Sequence, residues 1–358
     1  MSSTALTYLV LPTLAALAVV VGFLGYVIFR YAPIVGRVFE EKPLFLPLRL
    51  TLDADGENQT FLTEDGLQLA GTYFHCKTSR RIGVLVFCHE FLSDRSSFKP
   101  YLNDLRGRGY DIFTFDFRNH GRSQADPRYS PLQWVTDHEL ADLRAALTYL
   151  RSRPGRDHAG VGLFGISRGG GTALAVAADD PSVWGVITDG AFPTSGTMLA
   201  YIRRWAEIYV VNNYFWRIMP VGVFRILAWS GRLRSEKRLN CRFPSIERAV
   251  KRISPRPWLM IHGEKDAYIA PAIAEGLFAL AKDPKSFWIV PKAKHNRCRQ
   301  VDPTGYSERI VGFLREFAPR RELPIVDEST EVPPAPHFVD AGLPAVMHAA
   351  ELATPVSG

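Results

Sequence analysis

The sequence predicts an α/β architecture, a mostly parallel sheet flanked by helices, and three observations lead there. Short apolar runs recur along the chain: Val84–Cys88, Asp111–Phe117, Gly160–Ile166, Trp184–Gly190, Trp258–Gly263 and Ser286–Pro291. Most are apolar along their whole length, as strands buried on both faces are. Stretches with helical spacing alternate with them at Phe98–Arg108, Asp137–Arg153, Gly169–Ala178, Pro271–Lys282 and Pro303–Phe317. Parallel neighbours need a crossover connection, so this alternation implies a parallel sheet covered on both sides. One interval, from Pro193 to about Ser254, breaks the rhythm with no clear strand and a high density of aromatics, among them Tyr201, Trp205, Tyr209, Tyr214, Phe215, Trp216, Phe224 and Trp229. An insertion of that length reads as a helical cap over the edge of the sheet.

The first element in the chain is of another kind. Leu6 to Phe29 carries no charged residue. Roughly two dozen helical residues rise about 36 Å, more than the ~30 Å hydrocarbon core of a bilayer, so residues 1–32 read as a single transmembrane helix. A cleaved signal peptide fits less well: no Lys or Arg precedes the run, the run is too long, and no small-x-small cleavage pattern follows. Arg30, Arg37 and Lys42 follow the span, which places the remainder of the chain in the cytoplasm by the positive-inside tendency. Asn58-Gln59-Thr60 is a glycosylation sequon that would matter only in the reverse orientation.

Residues 33–58 read as a proline-punctuated connector. After it, the segment from Thr60 to Cys76 alternates around Asp65-Gly66, a turn dipeptide, and reads as an antiparallel hairpin that opens a domain over 59–318, with the cap at about 193–254. The tail, 319–358, contains VPPAP and little periodicity, and reads as disordered. With 47% hydrophobic and 22% charged residues, the 358-residue chain can bury one large core. Its net charge of +7 is not gathered into a basic arm, so nucleic acid is not expected as a partner. Cys76, Cys88, Cys241 and Cys298 lie far apart, without the pairing of a disulfide framework or a zinc site. Neither a metal nor a cofactor is expected.

The chemistry centres on GISRGG, Gly165–Gly170. A Gly-x-Ser-x-Gly between an apolar strand and a run of small residues suits a sharp strand-to-helix turn that thrusts the serine hydroxyl outward, which makes Ser167 a candidate nucleophile. The bland alternative is a serine that merely caps a helix. Asp266, in HGEKD, falls just past the end of one later strand, and His295, in PKAKHNR, follows the next. Both would lie on the same sheet edge as Ser167. His295 could then move the proton of Ser167 while Asp266 fixes the imidazole tautomer. Asp189, at the end of another strand, is a reserve for the acid, whereas His262 and the tail residues His337 and His348 read as structural. The tetrahedral oxyanion needs donors, for which the backbone N–H groups of Arg168 and Phe91 are the candidates.

These motifs, with DFRNHGRS at Asp116–Ser123, resemble the α/β-hydrolase superfamily over roughly Thr60 to Phe317, and are most similar to its monoacylglycerol-lipase and serine-aminopeptidase-like branch. The resemblance implies an α/β-hydrolase fold and a serine hydrolase acting on an ester of a lipid-like or other apolar acyl group. Peptide, thioester or acyltransferase chemistry is the alternative within the same triad, and a silent membrane-tethered scaffold is the alternative outside it. It also implies that Arg118 and His120 are scaffold residues. The chain departs from the family pattern where His89-Glu90-Phe91 replaces His-Gly-x and where Asn119 replaces glycine. Glu90 is expected to fold away and pair with an arginine such as Arg95. Arginines of the cap, including Arg203, Arg204, Arg217, Arg232 and Arg234, suit either solvent or phospholipid headgroups.

Overall fold

The computed structural model describes residues 3–42, 48–209, 219–319 and 323–324. Eight strands form one sheet: β1 (Glu57–Leu62), β2 (Gln68–Phe74), β3 (Gly83–Cys88), β4 (Tyr110–Phe115), β5 (Val161–Ile166), β6 (Val183–Asp189), β7 (Trp258–Gly263) and β8 (Lys285–Val290), in the order β1-β2-β4-β3-β5-β6-β7-β8. β1 pairs antiparallel with β2, and β2 with β4; the rest of the sheet is parallel. The β1–β2 turn uses Gly66 at φ 81, a left-handed conformation that costs glycine little.

The unbroken apolar runs have a direct explanation in β5. Val161 and Leu163 enter the core on one face of the sheet, while Phe164 and Ile166 enter the core on the other. A strand covered on both faces has no solvent side on which to place polar residues. The covering helices include α2 (Asp137–Ser152), α3 (Arg168–Ala177), α7 (Pro271–Ala279) and α8 (Pro303–Phe317). α4 (Thr194–Tyr209), α5 (Val221–Leu239) and the short α6 (Ile246–Val250) all fall between β6 and β7, in the segment expected to form a cap. α2 starts on a capping box: Thr136 accepts from the backbone of His138, and Glu139 returns a bond to the Thr136 N–H at 2.8 Å. Residues 210–218, which hold Tyr214, Phe215, Trp216 and Arg217, lie outside the described residues, as does nearly all of the tail read as disordered. Leu323–Pro324 is the described exception and pairs antiparallel with Arg80–Arg81.

Two expectations change. Phe98–Arg108 is not a regular helix but a short α turn, Lys99–Leu102, between 3-10 segments. Pro100, Asn103 and Gly107 within it are poor helix formers, and the stretch closes on Gly109 at φ 91. The N-terminal helix, α1 (Ser3–Glu40), also continues through Pro33 and well past residue 32, where the connector was expected to begin. Packing outweighs the missing proline N–H: Val27, Val35 and Phe39 are buried in one cluster with Trp134, Phe224, Leu227 and Phe243. The preceding part has no such cover. The most apolar 18 residues within Val10–Arg37 have a mean hydropathy of 2.2 and are 6% buried, and by length and composition the stretch suits a membrane span or a signal sequence.

The turn expected to be scaffold is held by a buried guanidinium. Arg118 is fully buried and donates to Asp142 at 2.7 and 2.9 Å and to Asp65 at 2.9 Å, tying the β1–β2 turn to α2. Burial pushes the Asp142 carboxyl up to about 6 despite the hydrogen bonds and charge of Arg118. Removing the guanidinium would leave that buried carboxyl without its charged partner, keeping the residue-118 backbone N–H at 2.8 Å. Arg118→Met is therefore expected to cost about 3–5 kcal/mol in chemical denaturation, the range for breaking one side of a buried ion pair.

Candidate active site

β3 and β5 are neighbours whose onward connections run to opposite sides of the sheet, and such a switch point opens a crevice beyond the strand ends. Ser167 stands there, between β5 and α3, with φ 51 and ψ −116. Its N–H donates to the carbonyl of Asp189 at 2.7 Å, which ties the turn to the end of β6. The flanking glycines are required by contact. A Cβ on Gly165 would lie 2.5 Å from the Gly169 carbonyl oxygen, and one on Gly169 would overlap the carbonyl of Cys88. Without side chains at both positions, α3 can start against β3 and β5.

The structure brings Ser167, His295 and Asp266 into one hydrogen-bonded chain. Ser167 Oγ lies 2.9 Å from His295 Nε2, and His295 Nδ1 lies 2.6 Å from Asp266 Oδ2. The other carboxylate oxygen of Asp266 accepts the backbone N–H groups of Tyr268 at 2.9 Å and Ile269 at 2.8 Å. Burial alone would raise the Asp266 pKa, but the hydrogen bond and charge of His295, with the Ile269 N–H and the His262 ring, hold it below the usual carboxylate value. A carboxylate there accepts Nδ1–H, which leaves the Nε2 lone pair toward the Ser167 hydroxyl. His262, read as structural, donates from Nε2 to the Ile269 carbonyl at 2.9 Å and lies 3.4 Å from Asp266 Oδ2. It braces the loop that carries the acid.

Asp189, the reserve acid, is fully buried and receives the Tyr306 hydroxyl at 3.1 Å. Its carboxyl is pushed up to about 6 by burial. The Nδ1 of His295 is taken by Asp266 instead.

Phe91 lines the same cavity as Ser167, and Arg168 follows Ser167 directly as the first residue of α3. The Arg168 side chain turns away from the cavity mouth. It is fully buried, donates to the Leu132 carbonyl at 3.0 Å, pairs with Glu139 at 3.3 Å, and lies over the Phe91 ring at 5.4 Å. His89 pins the start of the loop: Nδ1 donates to the Glu90 carbonyl at 2.7 Å, and Nε2 accepts the Phe117 N–H at 3.1 Å. Burial, with the nearby His120 and Arg168, holds the His89 pKa well below the ordinary value, in keeping with the accepting nitrogen. His120 bonds to the Arg118 carbonyl at 2.8 Å, a scaffold contact like that of Arg118 itself.

The cavity over Ser167 is small and mostly apolar. Phe91, Trp134, Phe192, Tyr201, Tyr268 and Ile269 form its walls around about 20 Å³, room for roughly one water. Gln133 and Trp134, from the loop before α2, and Thr197, from α4, complete the lining. Sequence patterns gave no sign of them, since a loop residue has no periodicity and is placed only by contacts distant in the chain. Among the described residues, Trp134 Nε1 and Thr197 Oγ1 are buried side-chain atoms without a hydrogen-bond partner. Among the described residues, no group of three or more His, Cys, Asp or Glu is arranged to hold a metal.

Glu90 does not pair with Arg95 as expected. Arg95 gives its guanidinium and its backbone N–H to Asp116, and Glu90 receives the Ser97 hydroxyl at 3.3 Å. Burial pushes the Glu90 carboxyl up to about 7. A carboxyl whose pKa is higher folded than unfolded stabilises fully below its unfolded value near 4.5, and that contribution is lost as pH rises toward 7. Glu90→Gln is therefore expected to raise the melting temperature relative to the parent at pH 8 and to change it little at pH 4. The gain is bounded at about 3 kcal/mol by the size of the shift.

Residues 85–309 match the model of the alpha/beta hydrolase family. The protein Rv2307c of Mycobacterium tuberculosis is 26% identical over 309 residues, covering 86% of this chain and 96% of that protein. YfhR of Escherichia coli O157:H7 is 26% identical over 264 residues, covering 72% and 80%. Among solved structures, the esterase Pf2001 of Pyrococcus furiosus superposes with a TM-score of 0.57 at 18% identity over 78% of this chain and all of that one, a likeness of fold. The switch point between β3 and β5, the serine turn on it and the family match over most of the sheet lead to one conclusion: the chain belongs to the alpha/beta hydrolase family.

Proposed function

We propose that the chain is a membrane-anchored serine hydrolase that cleaves carboxylic esters of apolar or lipid-like acyl groups. The observation that carries this reading is the hydroxyl–imidazole–carboxylate chain on a positive-φ serine: Ser167 Oγ to His295 at 2.9 Å and His295 to Asp266 at 2.6 Å. In the proposed reaction, Ser167 Oγ attacks the carbonyl carbon as its proton passes to His295 Nε2. Asp266 holds Nδ1–H and stabilises the imidazolium. The backbone N–H groups of Arg168 and Phe91 receive the oxyanion, and one such donor is worth about 10²–10³ in rate. Collapse returns the carbonyl, and His295 protonates the departing alcohol. Water then repeats the sequence on the acyl-enzyme and releases the acid.

The apolar walls of the cavity favour an apolar acyl group. For the anchor, the support is α1, with its apolar, mostly exposed span. Arg30, Arg37 and Lys42 after that span favour a cytoplasmic hydrolase domain.

A fluorophosphonate probe tests the proposal on detergent-solubilised protein. The parent should be labelled and should hydrolyse short acyl esters, while Ser167→Ala and His295→Ala should abolish both. Asp266→Asn should reduce kcat by about 10⁴, as removal of a tautomer-fixing carboxylate does. Asp189→Asn should retain most of the activity. Equal losses at Asp189 and Asp266 would overturn the assignment of the acid, and a folded parent that resists the probe would overturn the hydrolase.

A further inference from the structure

α5 lies alongside the last third of α1 with almost nothing between them. A Cβ on Gly231 would lie 2.5 Å from Val35 Cγ1 and 3.2 Å from the Gly36 nitrogen. Ser235 Oγ donates to the Gly36 carbonyl at 3.0 Å, and Arg238 pairs with Glu40. Small residues on both sides let the backbones approach. The contacts advance together, Val35 with Gly231, Gly36 with Ser235 and Glu40 with Arg238, so the helices run in the same direction. Traced back at about 1.5 Å per residue from Val35 beside Gly231, Val221 comes level with Gly25, Ile226 with Arg30 and Trp229 with Pro33. The start of α5 therefore stands beside the end of the apolar span.

The outward face of α5 is unlike that of an ordinary surface helix. Phe224, Leu227, Gly231 and Ser235 face inward and are buried, while Ile226, Trp229 and Leu233 form an exposed stripe, with Trp229 61% exposed. On α1, Phe29, 78% exposed, and Tyr26 bring exposed apolar surface to the same level. Arg225, Arg234 and Lys237 are exposed along α5. The single acidic residue of that helix, Glu236, is engaged by Arg232 at 2.9 Å and by the Phe243 N–H at 2.9 Å. An apolar stripe bordered by cations, with a tryptophan near the point where an apolar helix loses its hydrophobic character, matches the chemistry of a bilayer interface.

We propose that this face of α5 is a second membrane contact, with Ile226, Trp229 and Leu233 entering the leaflet from which α1 emerges and the basic residues meeting anionic phospholipid headgroups. The proposal rests on the reading of α1 as a membrane anchor. Its consequence is that the inserted helices beside Ser167 are held against lipid at two places, by the anchor and by α5.

Spin labels on the full chain in vesicles test it. The cysteines Cys76, Cys88, Cys241 and Cys298 are all buried, so an introduced surface thiol is the reactive one. Val19→Cys reports on the anchor, Trp229→Cys on the stripe and Lys282→Cys on the water-facing domain. In vesicles of phosphatidylcholine with phosphatidylglycerol, the ratio of relaxation by oxygen to relaxation by a water-soluble nickel chelate should be severalfold higher at both 19 and 229 than at 282. The excess at 229 should shrink in pure phosphatidylcholine. A lipid-like value at 19 with a water-like value at 229 would overturn the second contact and leave the anchor intact. Dipolar broadening between labels at 229 on separate chains would overturn it in favour of a second copy on that face. Equal values at 229 in both vesicle types would overturn the role of anionic headgroups. A water-like value at 19 would remove the anchor itself, and the proposal with it.

Discussion

The structure depends on one strained residue. Ser167 holds φ 51 with a full side chain, a conformation that costs of order 1–3 kcal/mol and persists only when its surroundings over-determine it. Here they do. Its N–H is fixed on the Asp189 carbonyl, α3 begins at the next residue, and Gly165 and Gly169 allow α3 to close against β3 and β5. The parallel sheet fixes the positions of β3, β5 and β6, so strain at the turn is opposed by the packing of the whole core.

The carboxyl groups near the site are sorted by environment. Asp266 has an imidazole and two backbone N–H groups for its oxygens and is held below the usual value, so it carries charge. Asp189 has only the Tyr306 hydroxyl and the Cys298 thiol beside it, and Glu90 the Ser93 and Ser97 hydroxyls and its own backbone N–H; against these neutral donors, burial pushes the two carboxyls up to about 6 and about 7. All three groups are buried, and the difference lies first in the hydrogen bond and charge of His295 and then in the Ile269 N–H, which only Asp266 receives. His295 and the loop from Asp266 to Ile269 together therefore hold Asp266 as the charged acid of the three.

Much of this was legible in the sequence because two-sided burial leaves a strong trace. Strands such as β3 and β5 must be apolar throughout, and their alternation with helices fixes the architecture. α8 shows the bounds read from the sequence, Pro303 to Phe317, because Asp302 caps it and its amphipathic pattern is complete. The order of the serine, aspartate and histidine motifs at strand ends placed them on one sheet edge. What stayed hidden depends on contacts distant in the chain. Glu90 meets Ser97 because Asp116, from the end of β4, claims Arg95; α1 outlasts Pro33 because α5 covers its far end; and Trp134 reaches the cavity from a loop without pattern. None of these partners is set by spacing along the chain.

The nearly filled cavity over Ser167 bears on how affinity for this protein should be read. Phe91, Trp134, Tyr201 and Tyr268 stand close enough to leave room for about one water, so a bound acyl group must first separate walls that pack against one another. Part of the contact energy is then spent on that separation. A dissociation constant reports only the remainder, divided further by the fraction of molecules already parted. Two ligands of equal complementarity would thus differ in measured affinity by how far each forces the aromatic walls from their resting contacts.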